Sequence, residues 1–292
     1  MRLDGRRTSN NVDDRRRNGG GGIGRIAGIG GGIGGLIIVA LITWLSGGNP
    51  MDVISHLDMG GANMVQTAPE TQLSEEDEQM ATFASQILAG TEDVWTREFE
   101  KMGMTYEPPR MVLFTGSVQS GCGGATSSTG PFYCSADQTV YIDLSFFRQM
   151  ERQMGAGGDF AYAYVIAHEV GHHVQYLLGT LGKAHQQMRR VSEREANEIS
   201  VRLELQADFY AGIWAYNDNE MFNSLEPGDI EEGLNAASRI GDDYLQKQAQ
   251  GYSVPDSFTH GRSDQRVRWL KRGASTGNIT LGDTFSPDYN DL

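Results

Sequence analysis

Apolar residues recur along this chain with three different rhythms. From Ile26 to Leu45 no charge appears, and the second half of that stretch, Leu36-Ile37-Ile38-Val39-Ala40-Leu41-Ile42-Thr43-Trp44-Leu45, is apolar almost throughout. At about 1.5 Å per helical residue it reaches the thickness of a hydrocarbon core, so residues 26–45 predict a transmembrane helix. From Ser74 to Lys101 the spacing becomes that of an amphipathic helix, with Met80, Phe83, Ile87, Leu88, Val94, Trp95 and Phe99 recurring on one face. Short β-branched and aromatic runs at 110–115 and 138–144 predict strands. A short helix should start at Ser145, and helical patterns follow at 159–178, 192–216, 228–249 and 263–271. Residues 46–73 show no steady period and read as a linker; 274–292, rich in Gly, Thr, Asn and Asp, read as a loose tail. The fold class is α+β, a few strands followed by a mainly helical C-terminal half.

The helix predicted at 159–178 carries His168-Glu169-Val170-Gly171-His172. Residues four apart share a helix face, so both imidazoles can reach one tetrahedral Zn²⁺. Glu169, beside the first of them, can hold a water and take its proton. Val165, Ile166, Ala167, Val170, Val174, Leu177 and Leu178 supply the surface of a buried helix. His173 is rotated about 100° from His172 and reads as structural.

A catalytic zinc needs a third protein ligand. No further histidine follows in the HExxHxxGxxH pattern, because the chain runs His173-Val174-Gln175-Tyr176-Leu177-Leu178. The better candidate is Glu204, in a helix that opens with a capping box, Ser192 to Glu195. Leu203, Leu205, Ala207, Phe209, Ala211 and Trp214 make that helix apolar almost all round, where Glu204 and Asp208 share one face. Carboxylates there are expensive to bury unless paired or metal-bound. Glu204 is assigned to the metal, and Asp208 to the outer N–H of a metal-bound imidazole.

Charge changes the picture at the N-terminus. The chain carries a net −14, which argues against nucleic acid as a partner. Residues 1–25 nevertheless hold seven Arg against three Asp, and after Arg25 no Lys or Arg appears until Arg97. This bias predicts a basic leader kept in the cytoplasm, a single-pass inner-membrane anchor at 26–45, and a periplasmic domain at 74–273. A cleaved signal peptide is the rival reading. Cys122 and Cys134 bracket a small polar loop that a disulfide can close in an oxidising compartment, free buried thiols being the alternative.

HExxH followed by ExxxD on a later helix resembles the gluzincin arrangement. More narrowly, the chain resembles the bacterial putative neutral zinc metallopeptidase family. The resemblance rests on His168-Glu169-Val170-Gly171-His172-His173, Glu204-Leu205-Gln206-Ala207-Asp208, Gly130-Pro131-Phe132-Tyr133-Cys134, Ile240-Gly241-Asp242-Asp243 and Phe258-Thr259-His260-Gly261. It implies a zincin-like domain with one Zn²⁺ per chain, peptide-bond hydrolysis with Glu169 as general base, and a peptide or protein substrate. By the same likeness a late-loop donor, His260 with Arg266, should face the developing oxyanion, and the strand at 139–144 should pair with an extended substrate. The alternatives are a non-catalytic zinc-containing envelope protein and a zinc hydrolase of a non-peptide amide.

Overall fold

A computed structural model of the chain describes residues 1–17 and 73–292. The anchor expected at 26–45 and almost all of the linker expected at 46–73 lie outside the described residues. Among those described, no helix is long and apolar enough to cross a membrane.

The first strand is one the hydrophobic pattern did not reveal. β1 (Val12–Asp14) lies parallel to β2 (Arg110–Phe114), with Val12 opposite Met111 and Asp14 opposite Leu113. Residues 1–17 are therefore not a separate leader: they complete the sheet of the domain. Between these strands in sequence comes α1 (Glu75–Lys101), opened by a Ser74–Asp77 capping box. A hairpin of β3 (Ser117–Ser120) and β4 (Gly123–Thr126) precedes β5 (Phe132–Cys134) and β6 (Thr139–Asp143). The sheet order is β1-β2-β6-β5, with β6 parallel to β2 and antiparallel to β5. β6 is paired along its whole length with β2 and over Thr139–Tyr141 with β5, so of the strand expected to pair with a substrate only Ile142 and Asp143 keep one edge outside these ladders. Cys122, in the β3–β4 turn, and Cys134, the last residue of β5, form a disulfide.

The rest is helical, which makes the protein a mostly helical α+β fold. α2 (Ser145–Met154), α3 (Asp159–Leu177), α4 (Thr180–Met188) and α5 (Glu193–Phe222) follow the sheet, then α6 (Asp229–Arg239), α7 (Asp242–Gln250) and α8 (Ser263–Thr276). The single helix expected at 228–249 is two, because the chain turns out at Ile240 and Gly241. Gly241 is pressed against the start of α8: a Cβ there would lie 2.5 Å from the Ser263 nitrogen.

Two close approaches bring α3, α5 and α8 together. A Cβ on Gly171, inside the HExxH turn, would come within 3.0 Å of the Ala207 carbonyl oxygen of α5. On the far side of α5, a Cβ on Gly273 would sit 2.1 Å from the Phe209 carbonyl oxygen, and one on Gly212 would sit 2.3 Å from that of Leu270. Backbone packs on backbone here, which only glycine allows.

The tail is not loose. Thr284 and Leu292 are fully buried. Arg202 of α5 donates to the carbonyls of Thr284 and Pro287, and the Thr284 hydroxyl returns a bond to the Arg202 carbonyl. Composition suggested a loose tail, but carbonyls and hydroxyls are what a half-buried arginine on a neighbouring helix can use.

Gly273→Ala is expected to cost about 2–3 kcal/mol by forcing α5 and α8 apart, lowering Tm by roughly 5 °C or more. Gly182→Ala, in α4 with nothing within 4 Å of the added carbon, should be neutral or stabilising by up to about 1 kcal/mol. Equal melting of the two variants would dismiss the packing argument.

Candidate metal centre

α3 carries Tyr164, His168 and His172 at four-residue spacing, so all three face α5 across the Gly171–Ala207 contact. α5 answers with Glu204 and Asp208, again one turn apart. His168 Nε2 lies 3.2 Å from Glu204 Oε2, and His172 Nε2 lies 3.4 Å from Glu204 Oε1. One ligand atom from each of the three residues falls within 4.8 Å of the others.

The outer nitrogens of the imidazoles are already committed. His168 Nδ1 is 2.8 Å from Asp208 Oδ1, and His172 Nδ1 is 2.9 Å from Gln175 Oε1. Gln175 can only accept there, because its amide nitrogen donates to the Leu203 carbonyl at 2.7 Å. With Nδ1–H donating outward, each neutral ring turns an Nε2 lone pair toward the Glu204 carboxylate. Two lone pairs facing an anion are mutually repulsive unless a positive charge lies between them. Burial alone would lower the His168 pKa, yet the carboxylates of Asp208 and Glu204 push it up to about 10. His172 is likewise raised against its burial, chiefly by Glu204. Burial would raise Glu204, but His172, then His260 and His168, hold it well below the usual carboxylate range. The pocket calls for a cation, and a His₂Glu donor set with both outer nitrogens fixed suits zinc.

Asp208, fully buried, is the most heavily bonded group here. It accepts from Tyr164 Oη (2.6 Å), His168 Nδ1 (2.8 Å), Arg266 Nε (2.8 Å) and Arg266 Nη2 (3.0 Å). Burial would raise its pKa; Arg266 and His168 lower it to about 2. Arg266 of α8 is itself 3% exposed and spends its remaining donors on Tyr164 Oη and the Ile240 carbonyl. It therefore braces Asp208.

His260 is held by a different carboxylate. Asp242, at the start of α7, accepts from the consecutive backbone N–H groups of Thr259, His260 and Gly261 at 2.7–3.0 Å, and lies 3.2 Å from His260 Nδ1. Burial lowers the pKa of His260, but Asp242 and then Glu204 raise it above its ordinary value. Glu169 is buried beside His168, with no side-chain hydrogen bond among the described residues. His173 is structural, as expected: it accepts from Tyr133 Oη of β5 at 2.9 Å and donates to the Glu107 carbonyl at 2.7 Å, which ties the sheet to α3.

Two residues escaped the sequence reading. Gln175 looked like the polar edge of a helix, though its place three residues after His172 is a usable signal. Asp242 was named only within a family block, inside a helix expected to run unbroken over 228–249. A second carboxylate group, Asp159, Asp229 and Glu232, gathers at the far end of α3, where Asp159 and Asp229 hold the amino group of Met1.

Residues 1–285 match the family described as "Putative neutral zinc metallopeptidase". The uncharacterized protein YpfJ of Escherichia coli K12 is 48% identical over 289 residues, covering 98% of this chain and 99% of that protein. The uncharacterized protein Rv2575 of Mycobacterium tuberculosis H37Rv is 46% identical over 191 residues, 62% of this chain and 64% of that protein. No solved structure matches the chain at a significant level.

Removing either outer acceptor should loosen zinc without emptying the site. Asp208→Ala and Gln175→Leu are each expected to weaken zinc binding about tenfold or more, with the loss larger for Asp208. Competition with a chromogenic chelator checks this, and an unchanged affinity in Gln175→Leu would make that residue a packing group only.

Proposed function

This chain belongs to the putative neutral zinc metallopeptidase family, and we propose that it hydrolyses peptide bonds with one zinc held by His168, His172 and Glu204. The observation that carries this reading is the convergence of both Nε2 atoms on one Glu204 carboxylate with each Nδ1 already engaged. When bound there, zinc supplies Lewis acidity to a water and to the scissile carbonyl. Everything else is the work of the chain's own residues.

Glu169 takes the proton of the attacking water. It follows His168 in α3, is buried, and makes no side-chain hydrogen bond to the described residues that would compete for its lone pairs. The same carboxyl then passes the proton to the departing amine. His260 donates to the developing oxyanion. Asp242 fixes its ring through Nδ1 and, with Glu204, favours the protonated form, leaving Nε2–H for the substrate. Extended substrate is expected along β5 and not β6: β5 ends the sheet among the described residues and is joined to α3 through Tyr133 and His173. The Cys122–Cys134 disulfide supports action in an oxidising compartment outside the cytoplasm.

The full-length protein, loaded with zinc and offered a mixed peptide library, should produce defined cleavages readable by mass spectrometry. Glu169→Gln should keep its zinc and lose activity by at least about a hundredfold; wild-type turnover in that variant would exclude the general-base role. His260→Ala should retain zinc and melting temperature while kcat falls roughly ten- to a thousandfold. A normal kcat there would leave His260 a structural partner of Asp242.

A further inference from the structure

Residues 1–17 are docked against the domain along their whole length. Arg6 makes a bidentate pair with Asp218 of α5 at 2.7 and 3.2 Å. Arg7 reaches Glu92, Asp93 and the Ala89 carbonyl of α1. Ser9 and Asn11 donate to the other oxygen of Glu92, at 2.5 and 2.7 Å. β1 joins the sheet edge, flanked by Met111 N–H to the Asn11 carbonyl and Arg15 N–H to the Leu113 carbonyl. Arg16, 2% exposed, closes the series on Asp14, Glu78 and the Asp77 carbonyl. The domain is shaped to receive this strap: Gly90 lies mid-helix in α1, and a Cβ there would come 2.9 Å from Arg6 Nη2 and 2.9 Å from Asp218 Oδ1.

The strap also ends where the domain resumes. Arg17 pairs with Glu78 at 2.5 Å, in the first turn of α1, which begins at Glu75. Residue 17 and the start of α1 thus lie at the same place on the domain. A single membrane crossing at 26–45 would put these two points on opposite faces of a bilayer about 30 Å thick, while β1 and β2 must be about 5 Å apart. A return crossing is not available in the sequence either. Residues 46–72 contain Asp52, Asp58 and Glu70, and their longest uncharged run, 59–69, is half of what a spanning helix requires.

We propose that residues 1–17 and 73–292 lie on one side of the membrane, and that the apolar stretch 26–45 does not carry the chain across it. The N-terminal arginines then serve as ion-pair partners of α1 and α5, and their clustering is not a cytoplasmic retention signal.

The test uses the full chain in its host cell, with one cysteine added at a time: Thr8→Cys in the strap or Lys271→Cys in α8, both exposed. The native cysteines are paired and do not compete. A membrane-impermeant maleimide applied to intact spheroplasts should treat the two variants alike, labelling both or sparing both until lysis. Labelling of Lys271→Cys with protection of Thr8→Cys, or the reverse, would overturn the proposal. Docking is read separately with Ser9→Cys, since Ser9 is 8% exposed. In native detergent-solubilised protein this thiol should react at least about tenfold more slowly than Thr8→Cys. Arg6→Glu should accelerate it, and Asp218→Arg in the same chain should slow it again. Equal rates at positions 8 and 9 in otherwise wild-type protein would mean the strap is undocked, and the proposal falls with it.

Discussion

The ion pair between Asp208 and Arg266 is the contact on which the centre of this molecule depends. Both groups are buried, and burying either charge alone costs several kcal/mol. The cost is offset because Asp208 accepts four hydrogen bonds, three at Oδ1 from Tyr164, His168 and Arg266 and one at Oδ2 from Arg266. One carboxylate therefore joins three helices at a fixed distance and angle. Its geometry is possible only because Gly171, Gly212 and Gly273 let the helix backbones approach. Glycine inside a helix costs about 1 kcal/mol each, and the close packing bought with it is what keeps the ion pair dry and the imidazole of His168 still.

The two histidines are held unequally, and the difference has a chemical consequence. His168 leans on a full negative charge that is itself braced by arginine, whereas His172 leans on the neutral amide of Gln175. The first ring is made more basic, and so a stronger electron donor; the second is oriented with little change in its electronics. Gln175 also donates to Gln206 Oε1 at 3.2 Å, and Gln206 donates to the Gly282 carbonyl at 2.8 Å. The C-terminal segment is thus the last link in the chain of bonds that sets the His172 ring, which gives the buried tail a part in the site.

How much of this was legible follows from where each residue's partner lies. His168, Glu169 and His172 were readable because their relation is local, one helical turn. Glu204 and Asp208 were readable by a weaker rule, that two acids on a helix apolar all round need buried partners. Asp242 was not, because its partners are backbone N–H groups that any sequence has, 17 to 19 residues away. The break at Gly241 that aims it toward them lay inside a continuous helical period. Arg266 was placed with Asp208 behind the metal ligands, and that is where α8 puts it, bonded to Asp208 and Tyr164; the further idea that it joins His260 at the substrate came from its nearness in the chain. The same limit explains β6, whose hydrophobic run reveals a strand but not that β2 covers one edge and β5 most of the other.

The N-terminal segment is the sharpest case of a charge pattern with two physical meanings. Arginines on one side of an apolar stretch bias insertion while the chain is unfolded; the same arginines form ion pairs once it folds, and composition cannot tell these roles apart. The partners are remote: Arg7 meets Glu92 across 85 residues and Arg6 meets Asp218 across 212. What discriminates is the receiving surface. A helix built for stability alone has no use for Gly90 near its centre, and the residue is explained by the guanidinium of Arg6 and the carboxylate of Asp218 crowding that point. A receiving surface that specific makes residues 1–17 part of the folding unit. α5, which holds Glu204 and Asp208 near its middle, is tied at Asp218 to the beginning of the chain.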